Sequence, residues 1–164
     1  AYSQVWAPGA VTLARSWARA DCFIGVRRIR PGPPAVTVTR WAETSSEPFS
    51  PSTFSFEHIV PRSDGGNDAV ENLALSCQEC NNHKFTSIAA RDPLSGKQVR
   101  LFHPHQDRWS DHFVWNEDFT LLLGLTPTGR ATIEKLHLNR MSVVNLRRVL
   151  HQTGYHPLPD EDSP

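Results

Sequence analysis

The stretch from Phe56 to Lys84, FEHIVPRSDGGNDAVENLALSCQECNNHK, decides the fold of this chain. It contains, in a fixed order, an acid-histidine pair, a proline, a Gly-Gly pair, an Asn-Leu pair and a CxxCN sequence. Short segments in which apolar and polar residues alternate lie before and after the glycines, and a helical segment follows the cysteines. The order therefore predicts a small α+β core in which two strands precede one helix.

The first strand is predicted from Phe54 to Ile59, and a second short strand, around 73–75, would return along it. A helix is expected to begin after Cys77. Successive side chains on a strand point to opposite faces, so the neighbours Glu57 and His58 can share a site only at a strand end or a bend. The turn that begins at Pro61 predicts such an end.

These residue types suit the hydrolysis of a phosphodiester bond. That reaction needs a deprotonated water in line with the leaving oxygen, and a cation that offsets charge on the phosphate. An imidazole titrates near neutral pH, which makes His58 the natural general base. Carboxylate and amide oxygens are hard ligands of the kind that Mg²⁺ or Mn²⁺ prefers.

The same residues resemble the motif of the HNH endonucleases, a family with a ββα-metal fold. Its pattern of [DE]H, then P and GG, then NL, then CxxCNxxK is matched by Glu57-His58, Pro61, Gly65-Gly66, Asn72-Leu73 and Cys77 through Lys84. The resemblance implies that Glu57 and Asn81 hold one divalent cation, that His58 activates the water, and that Asn72 pins the intervening loop. We also expect phosphate contacts from Arg62 and Lys84.

Two residues that follow Asn81 in the sequence, His83 and Phe85, bear on the resemblance. Phe85 stands where some relatives carry a further histidine ligand, and phenylalanine cannot bind a metal. This leaves two protein ligands plus water and phosphate, a set that favours magnesium over a tightly held transition metal. His83 is two positions from Asn81 and so points to nearly the opposite side of the helix, as a surface histidine or a neighbour of the cysteines.

The cysteines depart further from the family pattern. Many relatives carry two CxxC pairs around one structural zinc, whereas this chain keeps only Cys77 and Cys80. Trp41 and Thr44 stand where the first pair is expected, and neither is a good zinc ligand. A structural zinc would need His83 or His103 to complete its four ligands, so the sequence leaves zinc open, with a disulfide or redox role as the alternative.

The organisation expected for the chain is a poorly ordered or atypical segment at 1–47 with one strand at 36–40, an HNH core at 48–92, a C-terminal extension at 93–156 and a tail at 157–164. The extension should begin near a DPLSG turn at 92–96 and contain a β-hairpin around Asn116-Glu117 and two helices. It resembles the extension of a bacterial subgroup of stand-alone HNH proteins. Three further histidines within it are expected to pack or face solvent: His103, His105 and His112.

The two C-terminal helices have clear boundaries. The first should start at Thr126-Pro127, a cap followed by a first-turn proline. The second should run from about Asn139 to Gln152 and end at Gly154, with its apolar residues on one face. That face comprises Val143, Leu146, Val149 and Leu150. Arg147 and Arg148 would then face away from the core and could track along DNA.

Charge is segregated along the chain although the formal net charge is zero. Residues 1–40 carry six Arg and one Asp, residues 41–80 carry one Arg and seven acidic residues, and residues 130–148 carry five basic residues and one Glu. Acidic groups thus cluster where a cation would sit, and basic groups cluster in flanks suited to phosphates. Any single flank could equally be a solvated face.

No apolar run approaches the roughly 20 residues of a membrane span, and no signal peptide is recognisable. We therefore expect a cytoplasmic protein, and the first residue, Ala1, suggests a fragment or a processed chain. The sequence predicts a metal-dependent endonuclease that acts on DNA, with RNA, oligomeric state and pathway left open. The alternatives are a non-catalytic nucleic-acid-binding module of treble-clef type and an inactive nuclease remnant.

Overall fold

The computed structural model describes residues 54–157 of the 164 in the chain. Expectations for the segment 1–47, including the strand at 36–40 and the positions of Trp41 and Thr44, lie outside the described residues. Those for the tail from residue 158 onward lie outside them as well.

The motif folds as two strands followed by a helix, as predicted. Strand β1 (Phe54–His58) pairs antiparallel with β2 (Leu73–Cys77), with Glu57 opposite Ala74 and His58 opposite Leu73. Helix α1 (Gln78–Lys84) follows directly. β1 ends one residue earlier than expected, and β2 continues two residues further, to Cys77.

The loop between β1 and β2 contains two short 3₁₀ turns, Arg62–Asp64 and Val70–Asn72. Its glycines are needed for different reasons. Gly65 has a φ of 85°, a left-handed conformation that glycine adopts without steric cost. A Cβ on Gly66 would lie 1.8 Å from the carbonyl oxygen of Val60, so this position cannot carry a side chain without moving the loop.

A second hairpin follows the motif and was not predicted. Strands β3 (Ala89–Arg91) and β4 (Gln98–Arg100) pair antiparallel across the expected turn at 92–96. Each strand has only three residues, too few for alternation to be read from the sequence. The Asp92 carboxylate begins the turn and accepts hydrogen bonds from the backbone N–H groups of Leu94 and Ser95.

The C-terminal part contains the predicted hairpin and the two predicted helices. A short helix α2 (Trp109–His112) precedes strands β5 (Phe113–Trp115) and β6 (Leu122–Gly124), and helices α3 (Pro127–Leu136) and α4 (Met141–Gln152) follow. Thr126 caps α3 as expected, since its hydroxyl oxygen accepts from the N–H of Gly129 at 3.1 Å. Within residues 54–157, no helix is long and apolar enough to cross a membrane.

One hydrophobic core joins the motif to the C-terminal extension. Its buried members come from the end of β2, α1, the segment after β4, the β5–β6 hairpin, α3, α4 and the link between these two helices: Cys77, Cys80, Phe102, Phe113, Leu122, Leu136, Leu138 and Val143. The short strand pair and the seven-residue helix of the motif bury too little apolar surface to be stable alone. The extension therefore supplies the core on which the motif is held.

Helix α4 corrects two expectations. Arg147, expected on the outer face, is fully buried, with its guanidinium 4.9 Å from the ring centre of Trp115 and donating to the Thr120 carbonyl at 3.2 Å. Val149, expected in the apolar face, is 53% exposed. Helix α4 turns Arg147 towards the hairpin, where the Trp115 ring and the Thr120 carbonyl contact its guanidinium.

Candidate active site

The acid-histidine pair forms the end of β1. Ser55 and Glu57 are two residues apart and share one face of the strand, while His58 lies at the last position, where the chain turns away. Glu57 is buried at 5% exposure. The His58 side chain keeps 26% of its surface exposed, so its imidazole remains accessible to solvent.

Helix α1 packs its site face against that end of β1. The Asn81 amide nitrogen donates to the Ser55 hydroxyl at 2.8 Å, and the Lys84 ammonium donates to the Glu57 carboxylate at 2.7 Å. Asn81 and Lys84 are three positions apart and share a helix face, as Ser55 and Glu57 share a strand face. The structure therefore brings Glu57 and Asn81 to one strand–helix interface.

Lys84 occupies a different place from the one expected of a phosphate contact. It is 2% exposed, and its ammonium also donates to the backbone carbonyl of His58 at 2.8 Å. A buried ammonium is stable only when it is paired, and Glu57 supplies that charge. Lys84 thus joins α1 to both residues of the acid-histidine pair, a geometry that does not favour contact with nucleic acid.

His58 contacts a carboxylate that the sequence analysis did not single out. Its Nε2 lies 2.7 Å from an oxygen of Asp68, and Arg62 binds the same carboxylate through Nε and Nη2 at 2.6–3.0 Å. The side chains of Arg62 and Asp68 are 68% and 65% exposed. Arg62 therefore stands beside His58 at the surface, where a phosphate could reach it.

The pKa of Asp68 is held below its usual value by the hydrogen bond from His58 and, next, by the hydrogen bond from Arg62. Desolvation raises the pKa of Asp68, but its effect is smaller than that of either hydrogen bond. A carboxylate with a lowered pKa is ionised at neutral pH and can only accept hydrogen bonds. The ring nitrogen that faces it must therefore carry a hydrogen.

Asn72 closes the loop that begins after His58. Its amide oxygen accepts from the N–H of Val60 at 2.8 Å, and its amide nitrogen donates to the carbonyls of Val60 and Asn67 at 2.9 and 2.8 Å. The side chain thus holds the two sides of the loop together, two residues from His58. Asn72 contacts backbone only, which is the arrangement of a positioning residue.

The residues proposed for a catalytic cation suit a hard divalent ion. Asn81 uses its amide nitrogen for Ser55, so the amide oxygen is the atom that would face a cation. Lys84 engages one oxygen of Glu57, and the carboxylate has a second. Between residues 54 and 157 no group of three or more His, Cys, Asp or Glu side chains could hold a metal. The donor set therefore fits an ion that takes most of its ligands from water and phosphate.

The two cysteines do not fit a four-ligand zinc site within the described residues. Both are fully buried, and the Arg140 guanidinium donates to the Cys77 and Cys80 sulfurs at 3.4 and 3.5 Å. Arg140 also binds Glu79 at 2.6 Å. A guanidinium therefore lies where a CxxC pair would direct its ligand atoms, and the structural zinc that the sequence left open finds no support among residues 54–157.

The remaining histidines lie away from the acid-histidine pair or serve packing. His83 stacks on His137 with ring centres 4.2 Å apart, on the cysteine side of α1, and burial lowers the pKa of its imidazole. His105 bonds the carbonyl of Leu73 at 2.8 Å. Because Leu73 pairs with His58, His105 supports the strand beside the site.

Three polar residues of this region escaped the sequence analysis: Ser55, Asp68 and Arg140. Ser55 had a signal, since it precedes Glu57 by two positions and must share its strand face. Asp68 had only a weak one, because an aspartate after Gly-Gly is usually a turn residue. Arg140 had none, since it meets the cysteines from 60 residues away along the chain.

Comparison with protein families finds one match in the same region. Residues 45–86 match the family model described as HNH endonuclease. The matched stretch contains β1, β2 and α1 together with Glu57, His58, Asn72 and Asn81. Searches of curated proteins and of solved structures found no match to the chain.

Proposed function

We propose that this protein is a metal-dependent endonuclease that hydrolyses phosphodiester bonds in DNA, a proposal supported by the match of residues 45–86 to the HNH endonuclease family model. The observation that carries the proposal is the end of β1. There a solvent-accessible imidazole, His58, stands beside a strand–helix interface that holds one carboxylate and one amide, Glu57 and Asn81. A base next to two hard oxygen donors is what hydrolysis of a phosphodiester requires.

The proposed mechanism assigns each step to a residue of the chain. His58 takes a proton from water as the water oxygen forms its bond to phosphorus and the opposite ester bond breaks. Arg62, exposed next to His58, orients and partly neutralises the phosphate. Asn72 keeps the loop in place, so that the imidazole does not turn away from the phosphate.

Glu57 and Asn81 would hold the divalent cation, Mg²⁺ or Mn²⁺ from the nature of their oxygen donors. When bound, such a cation offsets the charge that develops on the phosphate. Lys84 keeps the Glu57 carboxylate at the interface and fixes the backbone of His58. In this proposal Lys84 acts on the two residues of the pair rather than on the substrate.

A second candidate function is a nucleic-acid-binding module without catalysis. The observation that favours it is the ion pair between Lys84 and Glu57, which already satisfies one oxygen of the proposed metal ligand. A protein of this kind would bind DNA through exposed cations such as Arg62 and leave the phosphodiester bond intact. The two candidates share a surface and differ in the fate of the DNA.

One plasmid-cleavage experiment separates them. Purified protein is incubated with supercoiled DNA in Mg²⁺, in Mn²⁺ and in EDTA, and DNA binding is measured in parallel. We expect nicked or linear product with either metal and none in EDTA, since the proposed ligands are oxygen donors. Binding without cleavage in both metals would replace the proposal with the second candidate.

The matched variant is Glu57→Gln, which keeps the shape of the side chain and removes its charge. Because this change also leaves the buried Lys84 ammonium without its counter-charge, thermal unfolding of the variant is measured first, and cleavage is assayed at a temperature where the variant remains folded. The variant should bind DNA and lose metal-dependent cleavage, because an amide binds a divalent cation more weakly than a carboxylate. Cleavage that continues in EDTA would contradict the role given to the metal. Parallel assays with single-stranded DNA and RNA identify the substrate class.

A further inference from the structure

The Asp68 carboxylate determines which ring nitrogen of His58 is available to the substrate. Asp68 faces Nε2 at 2.7 Å. An ionised carboxylate cannot donate, so Nε2 carries the hydrogen and donates it to Asp68. The lone pair of the neutral ring is then on Nδ1, the nitrogen that does not face Asp68.

We propose that Asp68 is a positioning residue for the general base: it holds His58 as the Nε2–H tautomer and leaves Nδ1 to receive the proton from water. This inference rests on the proposed function, in which His58 is the base. It adds a residue to the site and names the reacting atom.

Arg62 fixes the carboxylate in this position. It donates from Nε and Nη2 to the Asp68 oxygen that contacts His58, at 3.0 and 2.6 Å, and from Nη2 to the second oxygen at 2.7 Å. Contact with both oxygens sets the plane of the carboxylate, which a single hydrogen bond would not do. Asp68 therefore connects the proposed base to the proposed phosphate-binding arginine.

The loop around Asp68 is held from the other side as well. The neighbouring Asn67 accepts from the N–H of Ala69 through its side-chain oxygen at 3.2 Å, and its backbone carbonyl accepts from Asn72. Gly66 passes so close to Val60 that the loop has little freedom to shift. The carboxylate is thus exposed to solvent on a loop that is constrained on both sides.

The first arm of the test is spectroscopic and independent of cleavage. The tautomer of His58 is read from the ¹⁵N chemical shifts and long-range ¹H–¹⁵N correlations of its ring at alkaline pH, where imidazoles are neutral. The signals of His58 are identified as those absent from the spectrum of His58→Gln. We expect the Nε2–H form in the unchanged protein and a mixture of tautomers in Asp68→Leu. An Nδ1–H form in the unchanged protein would overturn the proposal.

The second arm measures cleavage by Asp68→Leu and Asp68→Asn. Asp68→Leu should lower kcat by roughly 10- to 100-fold, the size of the loss when the hydrogen-bond partner that orients a metal-bound histidine is removed. KM should stay the same or fall, because Arg62 is released from its carboxylate. Asp68→Asn keeps an oxygen acceptor and should recover part of kcat.

Asp64→Leu is the matched control, since Asp64 is exposed in the same loop and loses the same charge. Its kcat should equal that of the unchanged protein. If Asp68→Leu also cleaves at the unchanged rate and His58 keeps its tautomer, the positioning role is refuted while the nuclease function stands. If the unchanged protein does not cleave at all, the proposed function fails, and the tautomer still shows whether Asp68 directs His58.

Discussion

Replacement of Asn72 tests the link between the loop and the histidine most directly. The Asn72 side chain makes three hydrogen bonds to backbone groups, at 2.8, 2.9 and 2.8 Å. Each intramolecular hydrogen bond contributes about 0.5–1.5 kcal/mol net to the free energy of unfolding. Because water can reach these groups in an exposed loop, we expect each bond to contribute near the low end of that range. Asn72→Ala should therefore lower the free energy of unfolding by about 2 kcal/mol.

Asn72→Asp should be worse than Asn72→Ala at neutral pH, although it keeps the shape of the side chain. One carboxylate oxygen can still accept from the N–H of Val60. The other would lie 2.8–2.9 Å from the carbonyl oxygens of Val60 and Asn67, where the amide nitrogen now donates. We expect a loss of about 3 kcal/mol for this variant, because two favourable bonds become repulsive contacts.

The assay is thermal unfolding between neutral pH and about pH 4, since an unperturbed aspartate titrates near pH 3.9. A loss of 1 kcal/mol lowers Tm by about 2–4 °C in a chain of this length, so both variants should melt at least about 4 °C below the unchanged protein. The gap between the two variants should narrow towards acid, because a protonated carboxyl can donate again. Asn82→Asp, an exposed change on α1, is the control.

A Tm for Asn72→Asp equal to that of the unchanged protein at neutral pH would refute this account of the loop. Cleavage provides a second measure, since both variants should lose kcat at a temperature where they remain folded. Unchanged cleavage by a destabilised variant would separate loop stability from the orientation of His58.

Three further predictions follow from particular contacts. His58→Ala should lower the cleavage rate about 10²- to 10⁴-fold with DNA binding retained, whereas His83→Ala should lower it far less. Equal losses of rate would contradict the placement of His83 on the side of α1 away from the site. Arg147→Ala should lower the free energy of unfolding in urea by about 3 kcal/mol, because it removes a buried cation that donates hydrogen bonds. Arg148→Ala should change that free energy by no more than about 0.5 kcal/mol, and the reverse order would contradict the burial of Arg147. The pKa of Asp92 is lowered chiefly by its hydrogen bond from Arg130, so its contribution to stability is complete above the unfolded pKa of about 4 and is lost as the pH falls. Asp92→Asn should therefore have a lower Tm at neutral pH and a Tm that falls less steeply towards acid pH. If its Tm falls as steeply as that of the unchanged protein, other groups cause the acid sensitivity.

Much of the site could be predicted from local spacing. The alternation before Glu57, the Gly-Gly pair and the position of Cys77 were enough to place β1, β2 and α1, because strand and helix periods act over a few residues. Helix spacing also separated Asn81 from His83, which lie on different sides of α1 in the structure. The cap and proline at Thr126 and Pro127 located α3 for the same local reason.

The partners of charged side chains could not be predicted in this way. Periodicity treats a lysine or an arginine as a surface residue, yet Lys84 and Arg147 are buried against groups distant in the sequence, at Glu57 and Trp115. Asp68 reaches His58 only because the loop folds back across Gly66. Local patterns thus determined the elements of the motif and the candidate base, whereas tertiary packing decided which charge each ionisable group meets, since that depends on contacts that close long loops.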